Sequence, residues 1–587
     1  MGRLRHQSEL HLGYGWRGGF DGLALAGCAL AFVLGVAAEA QTAAPAAPPA
    51  SAAPQPAAAP QPPAAPAAPA GDTGSAKKND PGEATHPPLT KDQAKELFRS
   101  VDDILSFASK DTDLPIKHSV KRKLITREQV NKYLREKFDE DKGTKRLERS
   151  EIVLKKFGLL DRDFQLQPFM ISLLTEQVAG FYDNKTKTVN LLDWIDPEDQ
   201  KPVLAHELTH ALQDQKVDLA KWSEVGSEDL ARNVEQDNQH IQTDEADTAR
   251  DAVAEGQAMV VFLDYTIRPT GRTLADAPEI MNKMKDLVSD TSGSPILARA
   301  PLLLQRSLLF PYSQGLSFED AILVKAGREA AFPKVLANPP GSTFEILHPE
   351  AYMAHVPVPV LHLPDIHPLI DAAYTPYDVG VMGEYDVRIL TELFGGPQIA
   401  DALSPEWNGG IYYAAQRKSA VTEQEKDSTA SVALLYESKW KNDDSARSFL
   451  RVYAGELPRK YSGLVRRSND EAADGSEQVY TTDEGDVLLS ISGPSVFVSE
   501  GFPLELARKL RDLISSVQSN APLQVAQADA AKMNDPGLTL VRVLSSAGVM
   551  KAALGDAIAA RGGSIAAPGI RGAADVGLSG RYTLMQR

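Results

Sequence analysis

The chain has 587 residues, a net charge of −17 and a single cysteine. No basic block accompanies that acidic balance, so the composition gives no footing to a nucleic-acid-binding role, which rests on Lys and Arg neutralising phosphates. The length corresponds to roughly two to four structural units.

Arg3, Arg5 and Arg17 precede an apolar run over 23–38, and Ala38-Glu39-Ala40 reads as a small-x-small cleavage site before Gln41. That is the layout of a secretory signal peptide covering 1–40, so the expected location is exported, periplasmic or extracellular. A transmembrane anchor is the alternative, although the run is short for one. Leu25-Ala26-Gly27-Cys28 also matches a lipoprotein box, but apolar sequence continues past it. Membrane attachment is therefore expected only if Cys28 is lipidated or the segment stays uncleaved. Removal at Ala40 leaves a mature chain without cysteine, which excludes disulfides, thiol catalysis and Cys-bound zinc. Residues 41–88 are Ala/Pro-rich and then Gly/Asp/Lys-rich; they cannot bury a core and are expected to form an extended spacer.

The folded region is expected from about Leu89, with Thr90 capping a helix over 91–108 whose stripe is Leu97, Val101, Ile104 and Leu105. Further helices are expected over 126–139, 145–157 and 168–178, and the basic cluster 117–123 is expected to be a solvated loop. In 180–192, two β-rich runs flank Asp183-Asn184-Lys185-Thr186, the pattern of a β-hairpin. Placed just before the next helix, its edge could pair with an extended peptide.

That next helix carries His206-Glu207-Leu208-Thr209-His210, an HExxH motif. Residues four apart share a helix face, so both imidazoles can point at one metal ion, with Glu207 bordering the same face beside a water. The motif alone arises by chance in a chain this long at roughly the few-per-cent level. Its context adds weight: Pro202 suits a first helical turn, Val203, Leu204, Leu208, Ala211 and Leu212 form an apolar face, and Gln213, Asp214 and Gln215 form a polar end. A third ligand is needed. A metzincin would place a Gly and a third His just after His210, and Ala211 to Lys216 offer neither. The alternative is a Glu from a following helix, and the best candidate is Glu255 in the run 244–262. Ala254 and Gly256 flank it and would allow a close approach, and Asp251 one turn earlier is a candidate acceptor for a ligand imidazole. Glu245 and His240 are competing ligands.

The HELTH helix, the Ala254-Glu255-Gly256-Gln257-Ala258 helix and the hairpin resemble a gluzincin-type zinc metallopeptidase, and more narrowly exported bacterial members of that type, over about 90–360. The resemblance implies a zincin-like domain and a peptide-hydrolysing site, with one Zn2+ per chain held by His206, His210 and Glu255. Gluzincins also place a Tyr, His or Arg beyond the third ligand to steady the oxyanion. Tyr312, in the segment 310–315 after a helix expected over 299–309, is the first candidate here and His348 the second.

Pro-rich 357–368 is expected to be a linker. Beyond it, strands are expected at 411–416, 431–437, 477–482, 487–492 and 495–499, and helices at 386–394, 445–453 and 503–516, with no ligand cluster. The expected architecture is α+β. A mainly helical zincin-like metallopeptidase domain with a small β-hairpin or sheet occupies 89–370. A smaller α+β accessory domain follows over 371–520, and an Ala/Gly-rich tail over 521–587. The function expected is an exported zinc metallopeptidase acting on a peptide or protein substrate, in which zinc activates a water and Glu207 is the general base. Two other classes remain open: a catalytically inactive metal-binding envelope protein, and a metal-free interaction module.

Overall fold

The computed structural model describes residues 88–516, except 131, 134–142, 178–179, 224–232 and 282–293. The expected signal peptide, nearly all of the spacer, and 517–587 lie outside the described residues.

Helix α1 (Lys91–Thr112) starts with a reciprocal cap: Thr90 Oγ1 accepts from Gln93 N–H and Gln93 Oε1 accepts from Thr90 N–H. The expected stripe is buried, and the helix runs a turn further than expected, ending at Asp113 in the left-handed region. Strand β1 (Lys121–Ile125) occupies part of the stretch expected as a solvated loop. It pairs in parallel with β3, its side chains alternate in exposure, and Arg122 is salt-bridged to Asp102 at 2.9 Å. Thr126 and Gln129 form a second reciprocal cap, and half of the helix expected over 126–139 lies outside the described residues. Helices α2 (Gly143–Phe157) and α3 (Leu166–Gln177) follow.

The hairpin is present as β2 (Phe181–Asp183) and β3 (Thr188–Leu192), joined by a turn in which Asp183 Oδ1 accepts from the N–H groups of Lys185 and Thr186. The small sheet has the order β1-β3-β2, so β2 is an edge. Helix α4 (Pro197–Val217) carries the HExxH motif. It begins a turn before Pro202, which was expected in the first turn, and is capped by Asp196 with Pro197 in that turn instead. Pro202 therefore lies inside the helix; the carbonyl deprived of its N–H belongs to Glu198, an exposed residue.

Helix α5 (Val234–Thr243), capped by Asn233, leads through a tight turn at Asp244–Glu245 into α6 (Ala246–Ile267). Helix α7 (Leu302–Ala326) is far longer than the expected 299–309, and Phe310 to Gly315 lie within it, Pro311 included. Helix α4 packs between α1 and α6, and α6 packs on α7. At the α6–α7 crossing the two backbones nearly touch: a Cβ on Gly256 would lie 2.3 Å from the Gly315 carbonyl, and one on Gly315 would lie 2.1 Å from the Ala252 oxygen.

The second half is built on a seven-stranded antiparallel sheet of order β4-β5-β6-β10-β9-β8-β7. Strands β5 (Trp407–Arg417), β6 (Val432–Trp440), β8 (Glu477–Thr482), β9 (Gly485–Ser492) and β10 (Ser495–Glu500) match the expected ones, mostly extended. Edge strands β4 (Tyr374–Val381) and β7 (Val465–Arg466) were not expected. Helices α8 (Glu384–Gly395), α9 (Asp443–Lys460) and α10 (Leu504–Ser515) complete it. The period of two sorts each strand between two cores. Tyr412, Leu434, Tyr436 and Leu489 join the core of the helical half, whereas Ile411, Tyr413, Leu435 and Leu488 join a second core with α10. The segment expected as a linker supplies Val360, Leu361, Leu363 and Ile366 to that second core, and Leu363 exchanges hydrogen bonds with Asn238 of α5. It is extended yet packed. No helix among the described residues is long and apolar enough to cross a membrane.

Gly315→Ala is expected to destabilise the chain by about 1–3 kcal/mol or more, because the new methyl meets backbone, which cannot rotate away. Denaturant unfolding checks this; a midpoint unchanged from wild type would show that the α6–α7 crossing is looser than described.

Candidate metal centre

His206 and His210 project from one face of α4, their rings edge-to-face with centroids 4.7 Å apart. The α4–α6 packing brings Glu255 against them. His206 Nε2 lies 3.1 Å from His210 Nε2 and 3.1 Å from Glu255 Oε2, and His210 Nε2 lies 3.5 Å from the same oxygen. Among the described residues this is the single group of three or more His, Cys, Asp or Glu with ligand atoms gathered so closely. For zinc–ligand bonds of about 2.0–2.1 Å, tetrahedral geometry separates the ligand atoms by about 3.3–3.4 Å. The three edges bracket that value, and two imidazoles with one carboxylate are a donor set zinc accepts, so the residues fit the ion.

All the groups are buried: His206, Glu207 and His210 are 0% exposed and Glu255 2%. Burial works to lower the pKa of His210, but the facing Glu255 carboxylate and the charge of Glu207 outweigh it and push the imidazole up to about 9. Burial lowers that of His206, against its hydrogen bond to Glu255. Burial would raise the pKa of Glu255; the charge on His210 and the hydrogen bonds from both imidazoles hold it at about 2.

Glu207 borders the triangle. Tyr182 N–H, on the outer edge of β2, donates to Glu207 Oε2 at 2.8 Å, and Tyr182 O–H donates to Asp214 Oδ2 at 2.8 Å. Lys187 pairs with the same Asp214 oxygen at 2.7 Å, so the hairpin is pinned to α4 beside the motif. The edge expected to receive a peptide is thus occupied at Tyr182 by Glu207 itself. Tyr312 stands next to the site, its ring 6.3 Å from that of His206 and tilted by 25°, buried on α7.

Other candidates go elsewhere. His348 pairs with Glu384 at 2.8 Å and lies against Phe344. Thr343 Oγ1 donates to Glu245, whose carboxyl burial raises to about 7. His240 lies 4.0 Å from Asp244. The acceptor for His210 Nδ1 is Gln213 Oε1 at 2.9 Å. Gln213 and Asp214, read as a polar helix end, are buried. Gly256 faces α7 and not α4: it follows Glu255, which faces α4, and successive helical residues turn by about 100°. Tyr182 and Gln213 were missed as site residues. The only sequence signals for them were proximity to the motif: one lies in the hairpin, and the other is three residues after His210.

The chain matches no protein family, no curated protein and no solved structure with which it was compared.

The shifts of His210 and Glu255 give the site its own contribution to the pH response of the metal-free protein. His210, raised above its ordinary 6.5, contributes stability that is present below about 6.5 and lost as pH rises through about 9. Glu255, depressed below its ordinary 4.5, contributes stability present above about 4.5 and lost as pH falls through about 2. Both contributions are complete between about 4.5 and 6.5. A metal instead requires neutral imidazoles, so zinc binding at pH 7.5 should release about one proton from His210 per ion. Calorimetry in buffers of different ionisation enthalpy measures this; zinc binding with no proton release would show that His210 is neutral before the ion arrives.

Proposed function

We propose that the chain is an exported zinc-dependent metallopeptidase of the gluzincin type. In this reading His206, His210 and Glu255 hold one Zn2+ and Glu207 serves as general base toward a peptide or protein substrate. The observation that carries it is the donor triangle of 3.1, 3.1 and 3.5 Å with a further buried carboxylate beside it. Zinc, when bound, supplies a Lewis acid for the scissile carbonyl and lowers the pKa of water. The chain supplies the proton transfers. Glu207 takes the proton of the attacking water and returns it to the leaving amine, its carboxylate kept in one orientation by the Tyr182 N–H. Tyr312, whose ring lies 6.3 Å from that of His206, is our candidate donor to the developing oxyanion. The zincin-like assignment of the helical half and export through residues 1–40 belong to the same proposal, resting on the sequence motifs.

One observation favours a second reading. All three donors and Glu207 are buried, which suits a metal that clamps α4 to α6 without turning over substrate. The experiments separate the two. Metal analysis of the purified chain should find about one zinc, abolished by His206→Ala or His210→Ala and weakened by Glu255→Ala. Retention in Glu255→Ala with loss in Glu245→Ala or His240→Ala would replace the third ligand. Glu207→Gln should keep zinc and stability while hydrolysis of a peptide library falls by about 10²–10⁴-fold. Tyr312→Phe should lose on the order of 10²-fold. A wild-type chain that binds zinc and cleaves nothing selects the clamp; one that binds none leaves the metal-free interaction module.

A further inference from the structure

A second structural feature lies behind His210. Gln257 Nε2 donates to the carbonyls of Ala331, at 2.8 Å, and Phe332, at 3.3 Å. Gln213 Nε2 donates to Gln257 Oε1 at 3.0 Å and to the Ala254 carbonyl at 3.0 Å. Gln213 Oε1 faces His210 Nδ1 at 2.9 Å. Both glutamines are 0% exposed, so no water competes for these bonds.

An amide side chain can be turned end for end, and its orientation is set by what surrounds it. Backbone carbonyls only accept. The Ala331 and Phe332 carbonyls therefore demand the NH2 end of Gln257, which leaves its oxygen toward Gln213. Gln213 meets an oxygen there and a second one at Ala254, so two acceptors demand its NH2 end. Its own oxygen is then turned to His210. An imidazole nitrogen facing an oxygen has to carry the proton. With Nδ1 protonated, the neutral ring holds its lone pair on Nε2, the atom in the donor triangle.

We propose that Gln257 and Gln213 form a one-way amide relay that fixes the tautomer and orientation of His210, making both of them positioning residues for the metal. The inference rests on the zinc reading above. The relay starts at the π-helical segment Ala330–Lys334 and passes through α6 to α4, so the contacts of three elements decide which nitrogen of His210 binds. Burial makes a wrong orientation costly: turning Gln213 end for end would set its NH2 against the Nδ1 proton and its oxygen against two others.

The test measures zinc affinity by chelator competition, with unfolding of the metal-free chain alongside, in the full-length protein. Gln213→Leu removes the acceptor and should weaken zinc by about ten- to a hundredfold, the usual range for a lost partner behind a ligand. Gln257→Met should weaken it less, because the Ala254 carbonyl still orients Gln213. In a Gln213→Leu background, Gln257→Met should have no further effect on affinity, since it acts through Gln213. Independent, additive losses would overturn the relay. Equal affinity in Gln213→Leu and wild type would overturn it too, and would leave the zinc reading standing. A wild type that binds no zinc overturns both. A measurement that needs no substitution covers the case of a variant that fails to fold: histidine-labelled nitrogen NMR of the zinc-loaded wild type. It should show His210 bound through Nε2 with Nδ1 protonated; binding through Nδ1 overturns the relay.

Discussion

The centre of this molecule depends on how the buried charge of Glu255 is compensated. A carboxylate removed from water carries a penalty of several kcal/mol unless partners replace the solvent. The chain shows what happens where no cationic partner faces the carboxylate. Asp244, Asp386 and Glu319 are equally buried, and desolvation drives their pKa values well above the ordinary carboxylate range. Glu255 moves the other way because two imidazoles face it across the α4–α6 contact. Separating those helices would strand the charge. The same contact therefore stabilises the helical half and assembles the site, and an ion of the right size would strengthen both at once.

Much of this was legible in the sequence, and the reason is locality. His206, Glu207 and His210 sit in a five-residue pattern whose geometry follows from helix pitch. The hairpin announces itself by its turn, and the strands of the second half by their apolar runs. Glu255 was legible as the acid on a following helix, although Glu245 and His240 could not be dismissed without the fold: Glu245 faces Thr343 and the Gly383 backbone, and His240 lies toward Asp244. What stayed hidden depends on contacts between distant segments. Gln213 reads as solvent-facing until Gln257 and Ala254 are placed beside it. Helix α7 runs well past the expected end at 309, through Pro311, which tertiary packing tolerates inside the helix. Strand β4 contains Pro376 and Gly380, which argue against a strand; it lies at an edge, where a missing N–H matters little.

The same reasoning explains why a linker was expected where there is none. Proline keeps 357–368 out of helix and sheet, but it does not keep the intervening Val, Leu and Ile side chains out of a core. On the other sheet face the two halves share apolar contacts, and they are further joined by Lys156 of α2, fully buried and paired with Glu484 in the β8–β9 turn at 2.7 Å. A buried pair of that kind is poor evidence of net stability, but removing Glu484 would leave the buried Lys156 with only the Thr429 carbonyl as hydrogen-bond partner. It fixes how α2 sits against the sheet.

The hairpin shows how structure narrows a functional idea. An open edge strand beside an HExxH helix would offer its N–H and C=O groups to a peptide. Here β2 is an edge, yet its Tyr182 N–H is committed to Glu207 and its Tyr182 hydroxyl to Asp214. Any peptide that paired with β2 at that residue would compete with Glu207 for one hydrogen. Pairing at Tyr182 and orientation of the Glu207 carboxylate by the same N–H are therefore mutually exclusive. In the peptidase reading, substrate backbone must be held at other positions of the hairpin or by other elements, while Tyr182 holds the base in place.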